Sequence, residues 1–246
     1  MSRFAVILPA AGQSSRMLGL KRKKPFVELK GRPVWIRTVE HFLKRNDVLE
    51  TVLVIAPDDM EWFRSTYSAN LAFMDVRLVK GGTCRAASVL NGLQALESDA
   101  THVAVHDAAR PLLTQQWIDS VFAAATEHGA AVPGLRISST VKRVNSAGII
   151  EKTVDRTNLV QAQTPQVFER QLLLKAYDFC TSLPDATDEA SMVEQLGVPV
   201  HVVDGWAANI KLTTSEDLRI AEKLLDVLPA GGGLKSLHPF DDDRFL

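Results

Sequence analysis

Short apolar runs alternate with amphipathic helical stretches along this chain, and that alternation restricts the fold more than any other feature. Phe4 to Leu8, Thr51 to Ala56 (TVLVIA) and His102 to Val105 (HVAV) are mostly apolar runs of strand length. A strand buried on both faces reads this way, whereas a strand with one wet face alternates. Val200 to Val203 is a weaker case. Between these runs the period changes. In Pro33 to Lys44 the residues Trp35, Ile36, Val39, Phe42 and Leu43 share one helical face, with Pro33 suited to the first turn. Ala86 to Leu96, Thr114 to Glu127 and Ser215 to Leu228 are further helical stretches. The last opens Ser215-Glu216-Asp217, an N-cap with acids in the first turn, and Pro229 stops it.

The alternation predicts an α/β fold: a mostly parallel, Rossmann-like sheet with helices on both faces. Sheets of this kind bind ligands beyond the carboxyl ends of their strands, so the loops that follow the apolar runs are where function is expected. Residues 134 to 160 break the rhythm. They are polar, of mixed charge, and contain Asn145-Ser146-Ala147-Gly148, a hairpin turn sequence, which predicts an arm projecting from the sheet. A chain of 246 residues leaves little room for a second core, so residues 1 to 228 are expected to form one domain. The tail, 229 to 246, holds three consecutive glycines and three consecutive aspartates and is expected to be loosely ordered.

Composition removes several function classes. A formal charge of −1 argues against a general nucleic-acid binder, which needs a basic face for phosphates. The two cysteines, Cys84 and Cys180, lie far apart and form no CxxC, which fits a reducing compartment. The first apolar run is too short for a secretory h-region, and no stretch approaches the roughly 20 apolar residues that span a bilayer. The expectation is a soluble, cytoplasmic protein with neither a nucleic-acid nor a membrane partner.

Three segments carry candidate chemistry. Pro9-Ala10-Ala11-Gly12-Gln13-Ser14-Ser15-Arg16-Met17 follows the first strand and runs on to Lys24-Pro25. Small residues there let backbone N–H groups approach an anion closely, and Arg16 and Lys24 add side-chain charge for the same phosphates. The loop is neither GxxxxGK[ST] nor GxGxxG. His106-Asp107-Ala108-Ala109-Arg110-Pro111 follows the HVAV strand. Asp107 could hold Mg²⁺ with substrate phosphates completing the shell, and Arg110 could grip a second phosphate; the competing reading is a turn in which the two pair with each other. Asn209-Ile210-Lys211-Leu212-Thr213 places a lysine just before a helix start.

Other residues read as structural. His102 and His106 stand four apart, but on a strand that spacing spans about 13 Å, too far to share one metal. His106 is expected to order its loop. Cys84 has no base partner in the sequence to make it a nucleophile, and the four tryptophans are scattered as packing residues.

Taken in order, PAAG…RM, KP, GG…R…S, VHDAARP, TVDR, QTPQVF, TDEAS and NIKLTT resemble the 2-C-methyl-D-erythritol 4-phosphate cytidylyltransferases of the non-mevalonate isoprenoid pathway, over roughly residues 4 to 226. The resemblance implies a nucleotidyltransferase that moves CMP from CTP to methylerythritol phosphate, with Mg²⁺ as cofactor and pyrophosphate as product. It implies that Ala10, Ala11, Gly12, Arg16 and Lys24 hold the CTP phosphates and that Gly82 and Ser88 recognise the cytidine. Asp107, Arg110 and Lys211 would surround the reacting phosphates, and Thr140 and Arg156 would reach the neighbouring subunit's site from the arm of a homodimer. Ser14, Thr83 and Ser138-Ser139-Thr140 depart from the family's usual pattern. A ribitol-phosphate cytidylyltransferase shares the fold and chemistry and is the nearest alternative, though the HDAARP loop favours methylerythritol phosphate. A catalytically silent nucleotide-binding protein is the other.

Overall fold

The first apolar run becomes the middle of the molecule. The structure, a computed structural model, describes residues 2–12 and 24–228, the side chain of Lys24 excepted. The loop residues Ser14 and Arg16 and the tail 229–246 lie outside the described residues. Strand β1 (Phe4–Pro9) runs parallel to β4 (Val48–Ile55) on one side and to β6 (His102–Val105) on the other. Beyond β4 lies β5 (Arg77–Lys80), again parallel. Beyond β6 the direction reverses: β11 (Gln166–Glu169) is antiparallel to β6 and to β7 (Ala130–Arg136). The far end of β7 pairs with β10 (Val160–Ala162), and its other edge takes β12 (His201–Asp204) in parallel. These form one eight-stranded sheet.

Why β1 is apolar throughout follows from its place. Phe4, Val6 and Leu8 point to one face and pack with Trp35, Val39 and Phe42 of α1 (Val34–Leu43), Phe63 of α2 (Met60–Thr66) and Phe122 of α5 (Gln115–His128). Ala5 and Ile7 point to the other, against Val89 and Leu93 of α4 (Arg85–Gln94), Leu173 of α6 (Arg170–Phe179) and Met192 of α7 (Glu189–Gln195). Each fully buried side chain of this size contributes roughly 1.5–3 kcal/mol of transfer free energy, so a polar residue on either face is disfavoured. A third cluster, Leu29, Val34, Leu112, Leu212 and Ala221, seats α8 (Ser215–Val227) beside the small hairpin of β2 (Glu28–Leu29) and β3 (Arg32–Pro33). The short helix α3 (Ser68–Phe73) follows α2 directly.

Helix ends follow the cap chemistry, with one shift. Thr114 caps α5, its hydroxyl accepting the Trp117 amide at 3.3 Å, and Gly129 ends the helix at φ 79°. The N-cap of α8 is Thr214, not Ser215 as the sequence suggested. Thr214 is extended and accepts the Asp217 amide at 3.1 Å, while Asp217 accepts the Thr214 amide at 2.8 Å, a reciprocal capping box. Asp217 also receives the amide and hydroxyl of Thr213, both at 2.7 Å, which pins the chain entering the helix.

The segment 134 to 160 divides. Its start, Gly134–Arg136, pairs in the main sheet with Val160–Ala162, the strand on which the segment ends. Between them β8 (Val141–Val144) and β9 (Ile150–Val154) form a separate two-stranded hairpin. Its turn is closed by Asn145, whose side-chain oxygen accepts the amides of Ala147 and Ile149 at 3.0 Å, and by Gly148 at φ 78°. Val144, Ile149 and Ile150 on this hairpin are exposed.

Helix α4 lies unusually close to the sheet. A Cβ placed on Gly92 would sit 2.8 Å from Ile7 Cγ2 and 3.1 Å from Val54 Cγ2. Both neighbours are β-branched and stiff, so Gly92→Ala must push the helix away despite alanine's better helix propensity. The expected outcome is a net loss of about 1–2 kcal/mol, read as a lower urea midpoint with an unchanged slope.

Candidate active site

Three loops at the carboxyl ends of the parallel strands meet a fourth segment from the far side of the sheet. After β1 the chain continues as Ala10, whose amide donates to Val54 O at 2.8 Å, then Ala11 and the exposed Gly12. After β5, the Gly81 amide donates to Ile55 O at 2.8 Å. A Cβ on Gly81 would lie 2.6 Å from Ala11 Cβ, so these two loops touch through small residues. A Cβ on Gly82 would lie 2.6 Å from Ala87 Cβ and 2.9 Å from the Ala87 carbonyl carbon. Glycine is therefore required where this turn lies flat on the start of α4. The Gly82 amide donates to Ser88 Oγ at 3.1 Å, and Ser88 Oγ donates to Cys84 O at 2.8 Å. Cys84 caps the helix, its sulfur accepting the Ala87 amide at 3.3 Å.

The loop after β6 is held by a buried histidine. His106 is fully buried, with Nε2 2.9 Å from Arg110 O and Nδ1 3.1 Å from Thr164 Oγ1. A carbonyl can only accept, so Nε2 carries the proton and Nδ1 accepts from the Thr164 hydroxyl. The same hydroxyl oxygen accepts the Asp107 amide at 3.1 Å. Burial, slightly offset by the bond to Arg110 O, pushes the His106 pKa down to about 3. His106 orders the loop and is neutral there.

The loop before α8 closes on the same place. Asn209 Nδ2 donates to Thr164 O at 2.8 Å, Arg110 Nη1 donates to Asn209 O at 2.6 Å, and the Leu212 amide donates to Ala109 O at 2.9 Å. Lys211 is thereby placed with Nζ 2.7 Å from Asp107 Oδ2. Arg110 Nε stands 3.6 Å from that oxygen, and Arg85 Nε is 3.5 Å from Oδ1. Burial alone would push the Asp107 carboxyl up, but Lys211, then Arg85 and Arg110, hold it well below the usual carboxylate range. One buried anion thus gathers three cations. The turn reading of this loop also holds: the Arg110 amide donates to Asp107 O at 2.9 Å.

Behind Arg85 lies a second acid. Arg85 Nη1 donates to both Glu189 oxygens, at 2.8 and 3.0 Å, and Tyr177 Oη donates to Glu189 Oε1 at 3.2 Å. Burial works to raise the Glu189 pKa and the guanidinium works against it; three donor contacts on one carboxyl are the geometry of an ion pair.

Of the residues expected from the sequence, Asp107, Arg110 and Lys211 come together, and Ala10, Ala11, Gly12, Gly82 and Ser88 line the adjoining loops. Lys24 begins a single 3₁₀ turn, Lys24–Phe26, but its side chain, like the whole of Arg16, lies outside the described residues. Thr140 and Arg156 are exposed on the arm, where Arg156 Nη1 donates to Ile137 O at 2.9 Å. Sequence reasoning gave no role to Arg85, Thr164, Asn209 or Glu189. Arg85 is the arginine of the GG…R…S segment, three residues from both Gly82 and Ser88, which is the signal for it in the sequence. Among the described residues no group of three His, Cys, Asp or Glu side chains converges as a metal site, and no helix is long and apolar enough to cross a membrane.

The buried neutral histidine makes a testable demand on stability. Below its ordinary pKa of about 6.5 the unfolded chain takes up a proton at this residue that the folded chain refuses until about pH 3. Stability is therefore lost as pH falls through that window, by up to about 1.4 kcal/mol per pH unit from this group. His106→Gln, which keeps one donor and one acceptor, is expected to flatten the dependence of urea-unfolding free energy between pH 6.5 and 4. A slope equal to the wild type's would show that His106 is not buried neutral.

Comparison with known proteins finds relatives along nearly the whole chain. Residues 4–227 match the family model of IspD, 2-C-methyl-D-erythritol 4-phosphate cytidylyltransferase. The enzyme of that name from Rhodopirellula baltica is 41% identical over 233 residues, covering 90% of this chain and 94% of the relative. That from Symbiobacterium thermophilum is 43% identical over 225 residues, covering 90% and 92%. The crystal structure of the Thermus thermophilus enzyme superposes with a TM-score of 0.75 at 30% identity, covering 92% of this chain and all of that one. The Francisella tularensis enzyme gives 0.77 at 30%, covering 90% and 99%. With the match running from the first strand through the last helix, the chain belongs to the 2-C-methyl-D-erythritol 4-phosphate cytidylyltransferase family.

Proposed function

We propose that this protein transfers CMP from CTP to 2-C-methyl-D-erythritol 4-phosphate, releasing pyrophosphate. The observation that carries the reading is the cluster at the end of β6, where Asp107 is ringed by Lys211, Arg110 and Arg85 beside the glycine turn at Gly82. Its relatives bear the name of this activity, and no observation favours ribitol phosphate or a silent nucleotide binder.

The reaction needs charge management more than proton transfer. An oxygen of the methylerythritol phosphate attacks the α-phosphorus of CTP, a new P–O bond forms, and the bond to the β-phosphate breaks as pyrophosphate leaves. A phosphate monoester has a second pKa of about 6, so the nucleophile is already largely dianionic at neutral pH. No base is required of the site. That accords with His106, whose two ring nitrogens are both engaged, and with Asp107, which is already ionised. The remaining barrier is the approach of two polyanions, which fixed cations and backbone N–H groups lower. Lys211 and Arg110 act at the reacting phosphates, Arg16 and Lys24 at the triphosphate with the loop of Ala10, Ala11 and Gly12, and Gly82 and Ser88 at the cytidine.

Asp107 is the residue that would hold Mg²⁺. Its carboxylate is anionic, and Oδ1, with Arg85 at 3.5 Å, is the oxygen not paired with Lys211, so it is the one that would meet a hard cation. Mg²⁺ takes one or two carboxylates and completes its shell with phosphate oxygens and water. Bound there it would screen the triphosphate and polarise the α-phosphorus.

The working unit in this reading is a cytoplasmic homodimer. Both cysteines are free, as a reducing compartment requires. The exposed Val144, Ile149 and Ile150 on the hairpin need a cover, and a groove of about 590 Å³ beside β10 and β12, lined in part by Arg156, Leu159, Val160 and Val202, lies at the root of the same arm. A second copy brings Thr140 and Arg156 to the neighbouring site.

Pyrophosphate release from CTP with Mg²⁺ and methylerythritol 4-phosphate tests the reading, with ribitol 5-phosphate in parallel. Release with the first substrate alone is expected; release with ribitol phosphate alone would reassign the acceptor. Lys211→Ala and Lys24→Ala should each lose about a hundredfold in turnover, or roughly 3 kcal/mol. Near wild-type rates in both would remove them from the site. Mixing Arg156→Ala with Lys211→Ala subunits should restore about a quarter of wild-type activity after subunit exchange, because each mixed dimer holds one intact site. No recovery in a mixture shown to exchange subunits would place Arg156 in its own subunit's site.

A further inference from the structure

Glu189 takes no part in the chemistry above, yet it is wholly buried at the start of α7 and bound to a cation of the cluster. Its position is over-determined. Asp188 caps α7, accepting the Ser191 amide at 3.0 Å, and Gln166 of β11 clamps the same turn by donating to Asp188 Oδ2 at 2.7 Å and accepting the Ala190 amide at 3.1 Å. Tyr177 of α6 adds its hydroxyl bond to Glu189 Oε1. Three elements thus fix one carboxylate, and what that carboxylate holds is Arg85.

Arg85 is the first residue of α4, and its guanidinium bridges Glu189 on one side and Asp107 on the other. Its side chain retains 29% exposure, with Nη1 committed to Glu189 and Nε nearest Asp107. Without Glu189 the nearest anion left to Arg85 is Asp107. The guanidinium would close on that carboxylate, tightening a 3.5 Å contact to the oxygen not paired with Lys211.

We infer that Glu189 is a positioning residue for this active site: by anchoring Arg85 to the α6–α7 layer, it fixes the guanidinium beside Asp107 for substrate phosphates and keeps it from closing on Asp107 Oδ1. The inference rests on the proposed cytidylyl transfer, since positioning is read through that reaction. It assigns the acid of the TDEAS segment a task inside the protein, with no contact to substrate.

A double-mutant cycle tests it. Glu189→Gln preserves volume and removes the charge, and is expected to lower kcat/KM at least about tenfold, as is Arg85→Ala. If Glu189 acts through Arg85, adding Glu189→Gln to Arg85→Ala costs nothing further, within about twofold. The double variant leaves neither buried charge without its partner, so it should fold even where a single variant is unstable. Unfolding midpoints measured alongside separate lost protein from lost rate. Losses that multiply, or a Glu189→Gln enzyme within about twofold of wild type, would overturn the inference while leaving the activity intact. A folded wild type that releases no pyrophosphate from CTP would overturn the proposed function and this inference together.

Discussion

The Asp107 carboxylate, buried and ionised, is the constraint from which the rest of the site follows. A charge taken out of water must be offset by partners, and here the partners come from three separated parts of the chain. Arg85 is supplied by the start of α4, Arg110 by the same loop, and Lys211 by the approach to α8. Each arrives at the carboxyl end of the parallel half of the sheet, where strand order places a crevice. Three cations against two acids, Asp107 and the Glu189 behind Arg85, leave a positive, partly dehydrated surface. Such a surface suits two phosphate-bearing substrates that would otherwise repel each other.

Backbone order around Asp107 is supplied by neutral hydrogen bonds. His106 and Thr164 form a short relay between β6 and the segment entering β11, with each donor matched to an acceptor. Because the imidazole is buried and both nitrogens are used, it contributes no charge and no proton. Gln163 extends this arrangement to the other end, exchanging bonds with the Trp206 backbone at 2.9 and 3.0 Å. The antiparallel insertion of β11 between β6 and β7 is what brings Thr164 to the site. A purely parallel continuation would direct the end of that strand elsewhere.

How far the site could be read from the sequence depended on the distance over which each signal acts. Asp107, Arg110 and Lys211 were given roles because VHDAARP and NIKLTT are segments of the family that the chain resembles; their place after a strand or before a helix fits a turn pair and a solvated lysine equally well. Glu189, in the TDEAS segment, was given no role: it follows a capping aspartate at the start of a short helix, and only folding places it behind Arg85, 104 residues away in sequence. The four-residue strands β5 and β11 were not distinguished either, since so short a run carries little period. The N-cap of α8 fell one residue early because Thr214 and Ser215 are chemically equivalent caps, and the backbone angle at Thr214 chose between them.

The sequence by itself determined the α/β class, the two-sided burial of the strands that become β1, β4 and β6, and the hairpin turn of the arm. Those depend on local periodicity, on buried runs of two-sided strands, and on residue types next to strand ends. The tertiary structure alone decided that β11 runs antiparallel, that one hydroxyl of Thr164 serves both His106 and Asp107, and that Arg85 is shared between Asp107 and Glu189. The reason is physical: strand direction and buried pairing are set by contacts between residues far apart in the chain. Such energies exist only once the sheet has brought those residues together.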